Sequence, residues 1–247
     1  MKGYLLDDAH EVKRNEAFIE DLQKEAKAKK IDLTLVTDVD EIPNDTAFVF
    51  SRSRDAYATK SLEDRHIRVF NRSEVTKIAN NKLETMNFAA LLGVPTVPTE
   101  KITNIGKIRY PYPIIVKTTD GHSGEEVHLC QTPQMVYETM QNRPDATWIA
   151  QPFIQSNKQD VRVFTLGHDI IGAIRRTGTR HAFKSNYTLG GTIDFYPIDD
   201  ELRQFVEKIV TALKSDYIGI DFLLPADGRY VLNEIEEAGL IDMLAEG

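Results

Sequence analysis

A single cysteine, Cys130, in a chain of 247 residues rules out an internal disulfide. It ends the apolar alternation of Val127 and Leu129 and reads as a buried core thiol. No apolar stretch approaches the roughly 18 residues that a membrane span needs, and the start MKGYLLDDAHEVKRNEA turns acidic too soon for a signal peptide. A cytoplasmic protein with no membrane partner is therefore expected, and the sequons Asn71-Arg72-Ser73 and Asn186-Tyr187-Thr188 carry no weight for glycosylation. Positive charge is also short: Lys+Arg 30 against Asp+Glu 38 gives a net charge of -8. Such a field repels polyanions, so nucleic acid is not an expected partner, and any phosphate must be held locally. Internal repeats, low-complexity tracts and flexible linkers are absent as well. What remains, 41% hydrophobic and 28% charged residues, suffices for one large or two to three small packed units.

The first 70 residues alternate short strands and helices: GYLL, an amphipathic stretch from Val12 to Ala28, IDLTLV, AFVFS, a helix near Asp55 to Asp64, and IRVF. Next, Asn81 stands where it can cap a helix, with Glu84 placed to reciprocate, Leu83, Met86, Ala90 and Leu91 at helical spacing, and a stop at Gly93 before Pro95. Lys82 then falls at a helix N-terminus, an unfavourable place for a cation unless an anion joins it. PIIVKT, EEVHLC, Pro133 to Gln141 and WIAQPFI read as strand, strand, helix and strand. DVRVFTLGHDIIGAIRR reads as a hairpin turning at Gly167-His168. After the polar loop TGTRHAFKSNYTLGG come a strand, a helix from Leu202 to Leu213 and a second hairpin turning at Ala226-Asp227-Gly228. Lobes joined without linkers predict a cleft between rigid bodies.

In the second hairpin, counting outward from the turn puts Asp221 opposite or nearly opposite Glu234, and the period of two puts Glu236 on the same face. Like charges across a strand pair cost up to about 1 kcal/mol each unless a cation or strong donor intervenes. Oxygen-only ligands favour Mg²⁺ or Mn²⁺ over zinc; acids simply facing solvent are the plain alternative. Lys117 closes the strand Pro113 to Val116 just before the glycine-bearing flap GHSGEEV, and Arg162, Arg175 and Arg176 lie on the first hairpin, with Lys184 in the loop beyond. Each alone is more readily a solvated charge; together, beside a carboxylate cluster, they suggest a metal-bridged polyphosphate. The flap is no P-loop and no G-x-G-x-x-G motif joins a strand to a helix, but a glycine loop between two strands can close on phosphates through its backbone N–H groups.

In order along the chain, Asn-Asn-Lys82, IIVKT, GHSGEEV, WIAQPFI, DVRVF, AIRR, FKSNYTLGG, IGIDF and NEIEE resemble an ATP-grasp ligase, most closely the RimK-like (ribosomal-protein glutamate ligase-like) branch, from about Asn71 to Glu237. The resemblance implies an α/β chain of the α+β type with the ATP-grasp fold and its nucleotide cleft between two lobes. Residues 1–72 would be the pre-ATP-grasp lobe and 73–247 the ATP-grasp domain, with a flap subdomain at about 94–150 and a metal-site subdomain at 151–247. It implies that Lys82 and Lys117 contact ATP phosphates under a lid containing Gly121, His122, Ser123 and Gly124. Gln151, Pro152, Phe153 and Ile154 would be the adenine-side hinge and Asp160 the ribose contact. Arg162, Arg176, Lys184 and Asn186 would face the transferred phosphoryl group, and Asp221, Glu234 and Glu236 would bind two Mg²⁺. Two departures stand out: Leu189 where many members of the branch have Arg, and Glu236 where many have Asn.

The implied activity is ATP-dependent joining of a carboxylate, on a small molecule or peptide, to an amine through an acyl phosphate, with release of ADP and phosphate. A peptide-tailoring or cell-wall-type ligase and a non-catalytic ATP-binding module are the alternatives, and a homo-oligomer is left open.

Overall fold

The computed structural model describes residues 1–121, 126–155, 159–178 and 192–237. They form three sheets. The first carries β1 (Lys2–Leu6), β2 (Asp32–Val36), β3 (Phe48–Ser51) and β4 (Arg68–Phe70), all parallel, in the order β2-β1-β3-β4. Strand β1 is buried from Gly3 onward because both faces are covered. Helix α1 (Glu16–Ala28) packs Phe18 and Ile19 against Leu5 and Leu33, while Leu62 of α2 (Ala56–Asp64) lies against Tyr4, Leu6 and Val69 on the other side. Helix α1 starts four residues later than the predicted Val12, since residues 9–15 make a turn in which the Glu11 and Val12 amides bond the Asp8 carbonyl.

The chain then enters α3 (Ser73–Ala79) and α4 (Lys82–Leu91). Asn81 caps α4, accepting from the amides of Leu83 (3.1 Å) and Glu84 (3.2 Å). The predicted face of Leu83, Met86, Ala90 and Leu91 is rotated. The buried residues are Lys82, Thr85, Met86 and Ala89, and Leu91 is 87% exposed, because the helix turns its polar N-terminal residues inward. After β5 (Glu100–Lys101), the antiparallel sheet β5-β8-β6-β7 comprises β6 (Ile114–Thr118), β7 (Val127–Cys130) and β8 (Trp148–Pro152). Helix α5 (Pro133–Gln141) covers it, and Cys130 is buried there beside Ile114, Val116 and Trp148.

The third sheet, in the order β11-β10-β9-β12-β13, joins β9 (Gln159–Leu166), β10 (Asp169–Thr177), β11 (Thr192–Phe195), β12 (Tyr217–Leu223) and β13 (Val231–Glu236). Both predicted hairpins are present. One face of this sheet carries Val161, Val163, Ala173, Ile218, Ile220, Phe222 and Ile235. They form the largest core cluster with α6 (Asp200–Leu213) and with Val75, Ile78, Met86 and Ala89 of α3 and α4. Among the described residues no helix is long and apolar enough to cross a membrane.

Candidate active site

The opposite face of the third sheet is charged. Strand alternation puts Asp160 and Arg162 of β9, Arg176 of β10, Asp221 of β12 and Glu234 and Glu236 of β13 on that side. The register sets Asp221 against Arg162 on one neighbour and against Glu234 on the other. Strict alternation would have put Leu232 and Glu234 on one side. Instead Phe222 pairs with Leu232 and Asp221 with Glu234, so Asn233 is an extra residue in β13. That bulge lets Leu232 enter the core at 0% exposure while Glu234 and Glu236 turn to the charged face.

Asp221 is buried and holds two guanidinium groups. Arg162 donates through Nε (2.6 Å) and Nη2 (2.7 Å), and Arg176 through Nη2 (2.7 Å). Burial alone would raise the Asp221 pKa, but Arg162 and Arg176 outweigh it and bring the carboxyl down to about 2. Arg176 also donates from Nε to Asp160 Oδ1 at 2.7 Å, and Arg162 Nη1 lies 2.6 Å from Glu236 Oε2. Burial disfavours the charge on Arg162, yet Asp221 and Glu236 hold its pKa well above the ordinary value. Arg175 departs from the predicted grouping. It points to the other side of β10 and meets Asp194 at 3.5 Å, because neighbouring residues on a strand face opposite ways.

Two lysines approach the same acids from elsewhere. Lys82, at the first position of α4 and only 6% exposed, stands 3.0 Å from Glu234 Oε1 and donates to the carbonyl of Gly121. Its backbone amide bonds Thr119 O at 2.9 Å, which ties α4 to the end of β6. Lys117 lies within β6, 4% exposed, and no ion pair within 4 Å is formed by it among the described residues. Burial lowers its pKa from 10.5 to about 8, with Lys82 pushing the same way and Glu234 opposing. Lys117 pairs with Ile149, and Ile115 with Gln151, so Lys117 and Gln151 share one face of the central sheet. Gln151 is buried and donates to Thr99 Oγ1 at 2.7 Å. Pro152 closes β8, Phe153 is partly exposed, and Ile154 packs against the core of the third sheet.

At the glycine segment, a Cβ on Gly121 would come within 2.6 Å of Thr118 Oγ1 and of Glu126 Oε2. Thr118 donates to Glu126 at 2.5 Å. Arg143 grips both Glu126 oxygens (2.6 and 2.7 Å) and reaches Asp120 at 3.2 Å. The two stems of the segment are thus tied to one guanidinium. Sequence reasoning missed Thr118, Glu126 and Arg143: the first two flank the glycines, but nothing in the pattern connects Arg143, 17 positions beyond Glu126. The expectations for His122, Ser123, Gly124, Lys184 and Asn186 lie outside the described residues.

Glu237, next to Glu236, is buried beneath this face. It accepts from Thr76 Oγ1 (3.1 Å) and Asn80 Nδ2 (3.2 Å), and burial pushes its carboxyl up to about 7. Among the described residues no three His, Cys, Asp or Glu side chains converge on one point as a metal-binding group. Asp221, Glu234 and Glu236 nevertheless share a face and offer only oxygen, the donor type of Mg²⁺. Glu234 and Glu236 keep 23% and 31% of their side chains exposed. The donor chemistry fits a hard divalent cation, with Lys82, Arg162 and Arg176 as the present counter-charges.

The comparisons with known proteins agree with this architecture. The family model of the RimK-like ATP-grasp domain matches residues 75–245. An uncharacterized protein of Mycoplasma pneumoniae is 31% identical over 170 residues, 69% of this chain and 59% of that protein. The human N-acetylaspartylglutamate synthase A is 30% identical over 212 residues, 82% of this chain and 54% of that protein. This chain therefore spans little more than half the length of either relative. Among solved structures, the D-alanine–D-alanine ligase of Bacillus anthracis superposes with a TM-score of 0.78 over all of this chain and 96% of its own, at 14% identity, a likeness of fold. Matched over more than two thirds of its length, and carrying its charged face on the sheet that the match covers, the chain belongs to the RimK-like ATP-grasp family.

Proposed function

We propose that the protein is an ATP-dependent carboxylate-amine ligase, organised as a leading lobe (1–72) and an ATP-grasp body (73–247). One observation carries this reading: two lysines, Lys82 and Lys117, are buried, and the acid paired with Lys82 at 3.0 Å, Glu234, is also the one whose field opposes the lowering of the Lys117 pKa. A polyphosphate supplies the negative charge that such a pair lacks. In this reading Lys82 and Lys117 hold the ATP phosphates, Gln151 through Ile154 flank adenine, and Asp160 meets the ribose. Asp221, Glu234 and Glu236 would hold Mg²⁺, which offsets repulsion between the triphosphate and the incoming carboxylate.

The chemistry follows from activation. A carboxylate is a poor electrophile at neutral pH. Its oxygen attacks the γ-phosphorus, the bond to the β-phosphate oxygen breaks, and ADP leaves. The neutral amine then attacks the acyl carbon, phosphate departs with the C–O electron pair, and the proton that the nitrogen loses passes to the departing phosphate. Arg162 and Arg176, rigidly held by Asp221, meet the charge that develops on the transferred group, with Lys184 and Asn186 assigned to the same task. Their bonds to Asp221, Asp160 and Glu236 hold both arginines in a fixed orientation.

The test is ADP release with Mg²⁺-ATP across panels of carboxylates and amines, including peptides, with mass-spectrometric identification of the product. An ATP-dependent amide is expected, and Glu234→Gln should abolish it while leaving the fold intact. ATP binding without ADP release on any panel would turn the reading to a nucleotide-binding module.

A further inference from the structure

Both stems of the glycine segment meet one side chain that comes from elsewhere. Arg143 follows α5, and its own backbone fixes its place. Its amide donates to Met140 O at 3.3 Å, and its carbonyl accepts from the Ala146 amide and from the Trp148 indole, each at 3.1 Å. From there Nη1 takes both Glu126 oxygens and Nη2 takes Asp120 Oδ2. Arg143 and Asp120 keep 43% and 58% of their side chains exposed. Ion pairs open to water add little to stability, so stability is a poor account of three bonds gathered on one guanidinium.

The contacts beyond Glu126 offer a better one. Glu126 Oε2, held by Arg143, also accepts from Thr118 Oγ1, the neighbour of Lys117. Gly121 lies so close to that bond that a Cβ would stand 2.6 Å from both oxygens and 3.1 Å from Glu126 Cβ. Having no side chain, Gly121 packs there, and its carbonyl accepts from Lys82 Nζ. A lysine ammonium is a point charge with three donors on a flexible stem, so the atoms it bonds set its direction. Among the described residues those atoms are Gly121 O and Glu234 Oε1. In the ligase reading Glu234 also serves the metal, whereas the carbonyl has no second task. One path of contacts thus runs from Arg143 through Glu126 and Gly121 to Lys82.

We propose that Arg143 is a positioning residue: acting through Glu126 and Gly121, it aims the Lys82 ammonium at the place assigned to the ATP phosphates. The phosphates rest on the ligase reading; the hold on Lys82 does not.

Two measurements on the full chain test it. Acylation by a trace of acetic anhydride, followed by mass spectrometry, reads Lys82 directly with no nucleotide added. Arg143→Met and Glu126→Ala should each raise the Lys82 rate at least about threefold, while the exposed Lys24 keeps its rate. The melting temperature should fall by no more than about 4 °C in either variant. In calorimetric titration with Mg²⁺-ADP, Arg143→Met should weaken binding about 3- to 10-fold in the wild-type background and less than about twofold in a Lys82→Met background. An effect that passes through Lys82 vanishes with it. An unchanged Lys82 rate in both variants, or an affinity loss as large without Lys82 as with it, would overturn the proposal. If the wild type or Lys82→Met binds no ADP, the acylation rates decide by themselves, and in the wild type that failure also counts against the ligase reading.

Discussion

Lys117 is where burial and charge conflict most directly. Above its ordinary pKa of 10.5 the folded and unfolded chains both hold it neutral, and it costs nothing. Between 10.5 and about 8 the unfolded chain takes up a proton that the folded one refuses, so stability falls as pH falls through that window. Below it the penalty is complete, roughly 3 kcal/mol by the size of the shift. Lys117→Met should therefore be more stable than wild type at pH 7 in urea unfolding, with the gap closing as pH approaches 10.5. Asp221 runs the other way. Its lowered pKa contributes stability above 3.8 that is lost as pH falls toward about 2. Asp221→Asn leaves two buried guanidinium groups under-compensated and should cost about 3–5 kcal/mol at pH 7. The difference from wild type should shrink below pH 4 in the same assay. The two cations also separate by kinetics: Lys117→Ala should weaken ATP binding itself. Arg176→Ala should keep ATP affinity within a few-fold and lower turnover roughly 10²-fold, the scale of one lost transition-state donor. Calorimetry beside ADP release checks this, and parallel losses in both variants would make Arg176 a phosphate clamp.

At the scale of elements, the position of Lys82 depends on how α4 begins. Asn81 satisfies two amides of the first turn, and the Lys82 amide bonds the end of β6, so one residue is held by a helix cap and a strand end together. Asn81→Ala should cost about 1 kcal/mol of stability and, by loosening that start, weaken ATP binding by roughly 3- to 10-fold. A thermal melt and a nucleotide titration on one sample decide it. A stability loss with unchanged affinity would mean that Thr119 alone positions Lys82.

For the whole molecule, Asn71 joins the leading lobe to the third sheet. Its Nδ2 donates to Tyr217 O at 2.8 Å, and its Oδ1 accepts from the amides of Asp216 (2.6 Å) and Tyr217 (3.2 Å). Asn71→Ala strands buried backbone groups at the start of β12 and should cost roughly 3 kcal/mol. The melting temperature should fall by about 6–12 °C, as one transition if the lobes unfold together. Two separated transitions would show that the seam, and not only this side chain, is weak.

The sequence alone determined the element order apart from α3 and the two-residue β5, both hairpins, the cap at Asn81 and the pairing of Asp221 with Glu234, because each rests on local periodicity or on counting from a turn. It also showed the ordered motifs that mark the family. The tertiary structure decided three things. The rotated face of α4, which buries Lys82, depends on partners contributed by β6 and β13. The bulge at Asn233 was written only faintly in LNEIEE, as a spacing of three between Leu232 and Ile235, and needed the partner strand to become a change of face. The counter-charges of the carboxylates come from β9, β10 and α4, as much as 152 residues away along the chain for Lys82 and Glu234. Local pattern fixes which way a side chain points from its own element; only packing brings another element's charge within bonding distance of it.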